Sequence, residues 1–149
     1  MNIELFIDRL HALQRTIAIA TPDAQVVKRC YWGAPSTALV DLPAIINTMT
    51  EMERTLGMGM RKESAYRITV QMLVARATPE DERSSRLATA FWFAAKNAFD
   101  NDRTIGGTVL ISTLQGANPT VPVLLQHNGQ AYVGVDAYLD IITITAEGG

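Results

Sequence analysis

The feature that most constrains the fold is an alternation of side chains in the middle of the chain. Apolar residues occupy every second position from Tyr66 to Val74, and Arg67, Thr69 and Gln71 stand between them. Successive side chains of a β-strand point to opposite faces, so this spacing predicts a strand with one firmly buried face. We assign residues 64–76 to this strand.

A helix is predicted immediately after this strand. Thr78 can cap the helix, Pro79 suits its first turn, and the acids at Glu80, Asp81 and Glu82 complement its N-terminal dipole. The helix is expected over residues 79–99. Its apolar stripe covers roughly one third of the surface, which suits packing on a sheet. The stripe consists of Leu87, Ala88, Phe91, Trp92, Ala95, Ala98 and Phe99.

The remaining predicted elements complete one α+β domain. Residues 2–17 have helical apolar spacing with Asn2 as the N-cap, and Pro22 ends that helix. Strands are expected near residues 24–32, 39–47, 108–114 and 121–127, with Pro43 near an edge or a bulge. Asn128 and Gly129 predict a hairpin turn into a β-rich region, residues 130–146. The predicted fold is a single α+β domain, 1–149, whose mixed or antiparallel sheet packs against two main helices.

Composition and charge argue against several classes of function. The chain has 149 residues, a net charge of -2 and a pI of about 5.6. Without a surplus of Lys and Arg, general binding to nucleic acid or to an anionic membrane is not expected. Cys30 is the only cysteine, so no intramolecular disulfide is expected and a cytoplasmic setting fits best. Charges interrupt every apolar run, so neither a signal peptide nor a membrane helix of about 20 apolar residues is expected.

Residues 48–63 show no recognisable period. The segment holds four of the six methionines of the chain, two glycines and charges of both signs. We predict a long, mobile excursion between strands. Long excursions in compact domains tend to be functional, so this segment is expected to have a role. The alternative is a solvated hairpin loop without a role.

The sequence FDNDRTIGGTVLIS, residues 99–112, raises the question of a ligand site. If Asp100 began a calcium loop, Ile105 would replace the sharp-turn glycine and Ile111 would replace the bidentate acid. A phosphate cradle also fits poorly, because Gly106 and Gly107 lead into a β-rich run and lack the following lysine. The prediction is a helix exit made of turn-forming residues and conformationally free glycines.

Two sets of residues keep a small enzyme among the alternatives. Cys30 could act as a nucleophile with His11 or His127, although no local signature surrounds any of them. Asp136 and Asp140 are an even number of residues apart, so a regular strand places both on one face, as an acid and base or a cation site requires. The simpler expectation is a core position for Cys30, and solvation or pairing with arginine across a subunit boundary for the two acids, so no catalytic residue, metal ligand or cofactor is assigned.

Aromatic residues suggest two further surfaces. At helical spacing Phe93 points away from the apolar stripe, near Arg86 and Lys96, and these three residues are a candidate subunit interface. An incidental exposed aromatic is the alternative. A small-molecule pocket lined by Trp32 and Trp92 is an alternative, although core packing also accounts for both residues.

The order of these features resembles the tail terminator proteins of long-tailed bacteriophages. A leading helix is followed by VVKRCYW, LPAIIN, the charged excursion, YRITVQMLV, a long helix closing in FDNDRTIGGTV, and a tail with YVGVDAYLDIITI. The resemblance spans nearly the whole chain and lies in its architecture and in the D-x-x-x-G-G-x-V helix exit. A related tail-completion or head-to-tail joining protein has a similar layout.

This resemblance implies a structural, non-enzymatic virion protein without a cofactor, assembled in the host cytoplasm. It implies a hexameric ring on the head-proximal end of the tail tube, which ends tube polymerisation and presents the surface that joins the neck. The implied partners are further copies of the chain, the tail tube protein and a head-completion or neck protein, with no direct nucleic-acid specificity and no membrane. The excursion would then contact neighbours through adaptable methionines and register-setting charges. The predicted contact residues are Glu51, Met52, Glu53, Arg54, Met58, Met60, Arg61 and Lys62.

Overall fold

The computed structural model describes residues 1–21, 23–56, 61–79, 82–117 and 121–146. Two helices and eight strands lie in these ranges. In chain order they are α1 (Ile3–Gln14), β1 (Ala18–Ile19), β2 (Gln25–Val26), β3 (Arg29–Trp32), β4 (Ala44–Leu56), β5 (Arg61–Arg76), α2 (Glu82–Asn101), β6 (Ile111–Gly116), β7 (Val123–His127) and β8 (Gln130–Ala146).

A single mixed sheet organises the chain. Its strand order is β3-β4-β5-β8-β6, and β7 also pairs with β8. β3 and β4 are parallel, whereas β4 with β5, β5 with β8, and β8 with both β6 and β7 are antiparallel. β1 and β2 form a separate two-stranded ribbon. The predicted single-domain α+β fold is confirmed.

The two helices and one face of the sheet enclose the main core. Ile68, Val70 and Met72 of β5 are nearly inaccessible to solvent, as the alternation predicts, and they belong to the same cluster as Phe91 and Phe99 of α2. Complete burial of a side chain of this size stabilises a fold by about 1.5–3 kcal/mol. We call the helix-covered part of the sheet the body.

A smaller core covers the opposite face at one end of the body. Leu73 is buried there together with Leu39, Ala44, Leu125 and Tyr132. Leu73 stands in the sequence where the alternation would place a polar residue, and this second cluster explains the exception. Both faces of β5 are therefore apolar at this end, but only one is apolar further along the strand.

A capping hydrogen bond and two φ angles confirm the predicted start of α1 and the predicted turn before β8. The Asn2 side chain accepts a hydrogen bond from the Leu5 N–H at 3.1 Å and caps α1. Asn128 and Gly129 have φ angles of 51° and 79°, as a tight hairpin turn between β7 and β8 requires. The strand expected over residues 24–32 is divided into β2 and β3, and the strand expected from residue 39 begins only at Ala44, after Pro43.

Residues 48–63 were predicted as a long excursion between strands, but their described residues lie within the strands themselves. Residues 48–56 continue β4, and residues 61–63 begin β5. The two strands pair antiparallel as far as Leu56 and Glu63, with register shifts between Met49 and Glu51 and between Glu51 and Arg54. A register shift interrupts the regular alternation of a strand, so the period of two is lost from the sequence although the strand continues.

The glycine-containing stretch is a helix exit, as predicted. Ile105, Gly106 and Gly107 have consecutive positive φ angles of 49°, 63° and 78°. The Asp102 carboxylate accepts the Gly106 N–H at 3.0 and 3.2 Å, and the Thr104 hydroxyl accepts the Gly107 N–H at 3.1 Å. The N–H groups that would cradle a phosphate are thus occupied by the chain's own side chains.

Candidate assembly surfaces

A three-stranded arm extends from the body and carries the segment that the sequence singled out. We define the arm as residues 48–56 of β4, 61–67 of β5 and 143–146 of β8, where within the described ranges neither β3 nor β6 pairs with these strands. β5 pairs with β4 on one side and with β8 on the other throughout the arm. β3 lies beside β4 only from Ala44 to Asn47. At that boundary the buried Asn47 amide exchanges two 2.7 Å hydrogen bonds with Gln14, which fixes β4 to α1.

Six of the eight predicted contact residues lie in the strands of the arm. The first four are in β4 and the last two are in β5, where the structure describes the backbone but not the side chains. Met58 and Met60 lie outside the described residues. The antiparallel hairpin brings the two halves of the predicted set into adjacent strands. The members in β4 are Glu51, Met52, Glu53 and Arg54, and those in β5 are Arg61 and Lys62.

A polar network crosses the strands at the base of the arm. Arg67 of β5 donates to both carboxylate oxygens of Asp140 of β8, at 2.7 and 3.2 Å, and its guanidinium lies 4.6 Å from the Tyr138 ring centroid. Gln115 of β6 donates to the same carboxylate at 2.5 Å. Sequence reasoning missed Arg67, Tyr138 and Gln115, because only the register places Arg67 directly opposite Asp140.

The two acids of β8 do not form an acid and base pair. Asp136 and Asp140 are four residues apart, which corresponds to about 13 Å along a strand and is too far for two carboxyl groups to share one substrate bond. Asp140 is held by the polar network. Burial raises the pKa of Asp136, and one of its carboxylate oxygens has no hydrogen-bond partner within the described ranges.

Cys30 has the properties of a structural thiol. Burial raises its pKa to about 11, although the nearby Arg15 acts in the opposite direction. A thiol with this pKa is almost entirely protonated at neutral pH and is a poor nucleophile. Its sulfur lies 4.0 Å from the backbone carbonyl oxygen of His11, while the ring of His127 contacts the Thr37 carbonyl oxygen at 2.9 Å. Burial, followed by Arg15, lowers the pKa of His11.

The outer surface of α2 contains the other predicted interface. Phe93 is 63% exposed, as its helical position predicts. It lines a shallow groove of about 420 Å³ together with Arg86, Thr21 and Pro122. Lys96 is directed elsewhere, because its ammonium donates to the Leu114 carbonyl oxygen at 3.0 Å and lies 5.7 Å from the Trp92 ring centroid. The structure therefore groups Arg86 with Phe93 but not Lys96 with them.

The edge of the sheet at β6 is closed by the chain itself. The Ser112 N–H donates to the Arg103 carbonyl oxygen at 2.7 Å, and the Arg103 side chain donates to the Ser112 carbonyl oxygen at 3.3 Å. Lys96 occupies the next carbonyl group, that of Leu114. These contacts use backbone groups that an edge strand would otherwise present to another chain.

The chain matches no known protein family, and no curated protein matches it. In the described ranges, no helix is sufficiently long and apolar to cross a bilayer.

Proposed function

We propose that this protein is a structural subunit of a long-tailed bacteriophage virion. Copies of it form a homo-oligomeric ring, expected to be a hexamer, on the head-proximal end of the tail tube. The ring ends tube polymerisation and provides the docking surface for the neck. The observation that carries this proposal is the arm, in which residues 48–56 and 61–63 of the methionine-rich and charged segment belong to the same continuous sheet as the body.

The physical requirements of a ring support this proposal. A closed ring uses heterologous contacts, so each subunit needs two unlike surfaces for its neighbours and another for the tube. The arm offers strand edges and a sequence with charges of both signs, whereas the groove at Phe93 offers an exposed aromatic ring beside an Arg86–Glu82 ion pair of 2.8 Å. These surfaces differ in chemistry, as heterologous contacts require.

A related neck or tail-completion component is the alternative. It would use the same body and arm, but its partner would be the neck and not the last ring of the tube. A small enzyme has less support, because the Cys30 thiol has a raised pKa and the Asp140 carboxylate is held by Arg67 and Gln115. Tail length separates the two assembly functions, since only a terminator limits it.

Charge reversal on the arm tests the proposed function without shortening the sheet. In the double variant Glu51→Lys and Glu53→Lys, we expect a folded protein that fails to cap tails, so that tubes of uncontrolled length accumulate without heads. The matched control reverses the exposed Glu4 and Asp100 on the helices and changes the net charge equally. Electron microscopy of tails from complemented lysates measures tube length and head attachment.

Two results, one from the arm variant and one from a phage that lacks the protein, would reject the proposal. Tails of normal length joined to heads in the arm variant would show that the arm does not meet the tube. Tubes of normal length without heads, from a phage lacking the protein altogether, would favour the neck component, because tube length would then be set elsewhere.

A further inference from the structure

The outer edge of β4 differs from the closed edge at β6. The Asn47 carbonyl oxygen accepts the Gly33 N–H at 2.7 Å, so it faces β3. Gly33 has a φ angle of 83°, and β3 has already ended at Trp32. Within the described ranges no strand lies beside β4 on this side beyond Asn47, although the strand continues to Leu56.

The backbone direction of Met49 follows from that of Asn47. Backbone groups two residues apart on a strand point to the same side, so the N–H and carbonyl groups of Met49 face away from β5, before the first register shift. Thr48, by contrast, lies opposite Thr69 within the ladder between β4 and β5. The arm thus offers an outward-facing donor and acceptor at Met49.

On the other side of the arm lies a second edge that no strand of the described residues covers. The Ile142 carbonyl oxygen accepts the Leu110 N–H at 2.8 Å on the side of β6, so the alternation directs the backbone of Ile144 to that side as well. β6 pairs with β8 only as far as Ile142. Ile144 is also 46% exposed, which is high for a large apolar residue in a strand.

We propose that the outer edge of β4 around Met49 pairs in parallel with the outer edge of β8 around Ile144 of a second copy of this chain. The inference specifies how neighbouring subunits of the proposed ring meet, and it rests on that proposed function. Each copy would present its β4 edge to one neighbour and its β8 edge to the other, so the sheet would continue from subunit to subunit. Such a contact is heterologous and is able to close into a ring.

The strand directions favour this occupant. β4 and β8 both run antiparallel to β5, so they run in the same direction. Copies placed side by side around a ring axis keep that direction, and β8 of one copy then meets β4 of the next in parallel. The same edge of β4 already accepts a parallel strand, because β3 pairs with it from Ala44 to Asn47. The β8 strand of the neighbour would pair with β4 beyond Asn47, where β3 has ended.

Cysteine cross-linking tests the predicted pairing. In a Cys30→Ser background, the double variant Thr50→Cys and Ile144→Cys places a thiol at each edge, where both native side chains are exposed. We expect a short bismaleimide to produce a series of linked copies from this variant, and only dimers from a mixture of the two single variants. The control pair replaces Ile144→Cys by Leu124→Cys, which is 68% exposed on β7. Because pairing raises the local thiol concentration, the expected rate is at least about tenfold above that control.

The pattern of products distinguishes the possible occupants of the edge. Efficient linking of Thr50→Cys to itself would mean that two β4 edges meet about a twofold axis, which overturns the proposal. Rings visible by negative stain without linkage between residues 50 and 144 would overturn it while leaving the proposed function intact. The absence of any assembled species or linkage at the highest soluble concentration would also reject it. Normal-length tails in the arm charge variant would instead reject the proposed function.

Proline substitutions provide an independent test of the backbone contacts. Met49→Pro and Ile144→Pro each remove one outward-facing N–H while leaving the ladder with β5 in place, as proline at a strand edge permits. We expect each to weaken assembly about tenfold, the effect of one hydrogen bond of about 1.4 kcal/mol. The controls Met49→Val and Ile144→Val keep the N–H and should assemble as the parent does. Equal assembly of the proline and valine variants, with similar melting temperatures, would overturn the proposal.

Discussion

The body and the arm share two long strands but use them differently. In the body, β5 and β8 bury Val70 and Val135 beneath the helices. At the base of the arm the same strands carry the Arg67–Asp140 ion pair, whose side chains are 32% and 35% exposed. The adjacent pair, Ile68 and Leu139, is still buried in the main core, so here one face provides apolar burial and the other provides polar cross-strand contacts. Substitutions in the body should therefore change stability, and substitutions on exposed surfaces should change assembly.

The largest expected effect compares two phenylalanines of α2. Phe91 is fully buried in the main core, whereas Phe93 is 63% exposed. We expect Phe91→Ala to lower the free energy of unfolding by about 3–5 kcal/mol, and Phe93→Ala to change it by less than about 0.5 kcal/mol. Urea titration followed by circular dichroism measures both. A large loss in Phe93→Ala would place this residue in the core and remove it as an interface candidate.

The second prediction concerns close packing of the backbone in the body. A Cβ atom on Gly134 would lie 1.9 Å from the Met72 carbonyl oxygen, so Gly134→Ala must displace β8 from β5. We expect a loss of about 3 kcal/mol in the free energy of unfolding. Gly33→Ala is the control, because Gly33 has open space around it but a φ angle of 83°, and it should lose only about 1 kcal/mol. Equal losses would mean that displacing the strands at Gly134 costs no more than the backbone strain at Gly33.

The sequence allowed prediction of the body more fully than of the arm. The alternation around Val70 and the stripe containing Phe91 are periodic because each faces a single core. In β4 two register shifts interrupt the alternation, so the sequence around Glu51 did not indicate a strand. The polar network was also beyond local reasoning, because Arg67 and Asp140 are 73 residues apart in the chain. Predicting that contact requires the register of two strands, which no local spacing contains.

The third prediction measures the strength of that network. A double-mutant cycle with Arg67→Ala and Asp140→Ala should give a coupling free energy of about 0.2–1 kcal/mol, because the pair is bidentate but only partly buried. The control cycle uses Arg29 and Asp41, whose closest charged atoms are 3.8 Å apart and whose side chains are more than half exposed. Its coupling should be close to zero. Equal coupling in the two cycles would show that the arm network adds no stability beyond an ordinary surface pair.

The smallest expected effect is a change in pH dependence at Asp136. Burial raises the pKa of this carboxyl above its ordinary value of 3.8, so the folded protein retains a proton that the unfolded chain has released. Stability therefore falls as the pH rises from 3.8 through the raised pKa of the folded state, and the loss is complete above it. Asp136→Asn removes this titration, and we expect it to be more stable relative to the parent at about pH 7 than at about pH 3.

Urea unfolding at these two pH values measures the difference, and Asp136→Ala is the matched variant. It also removes the titration but lacks the amide, so it should show the same flattening of the pH dependence from a different baseline. If neither variant alters the pH dependence, the desolvated carboxylate of Asp136 does not influence folding. The buried oxygen without a described partner would then have to be solvated in solution, and the exposed face of β8 would be more open to water beside Asp136 than the structure indicates.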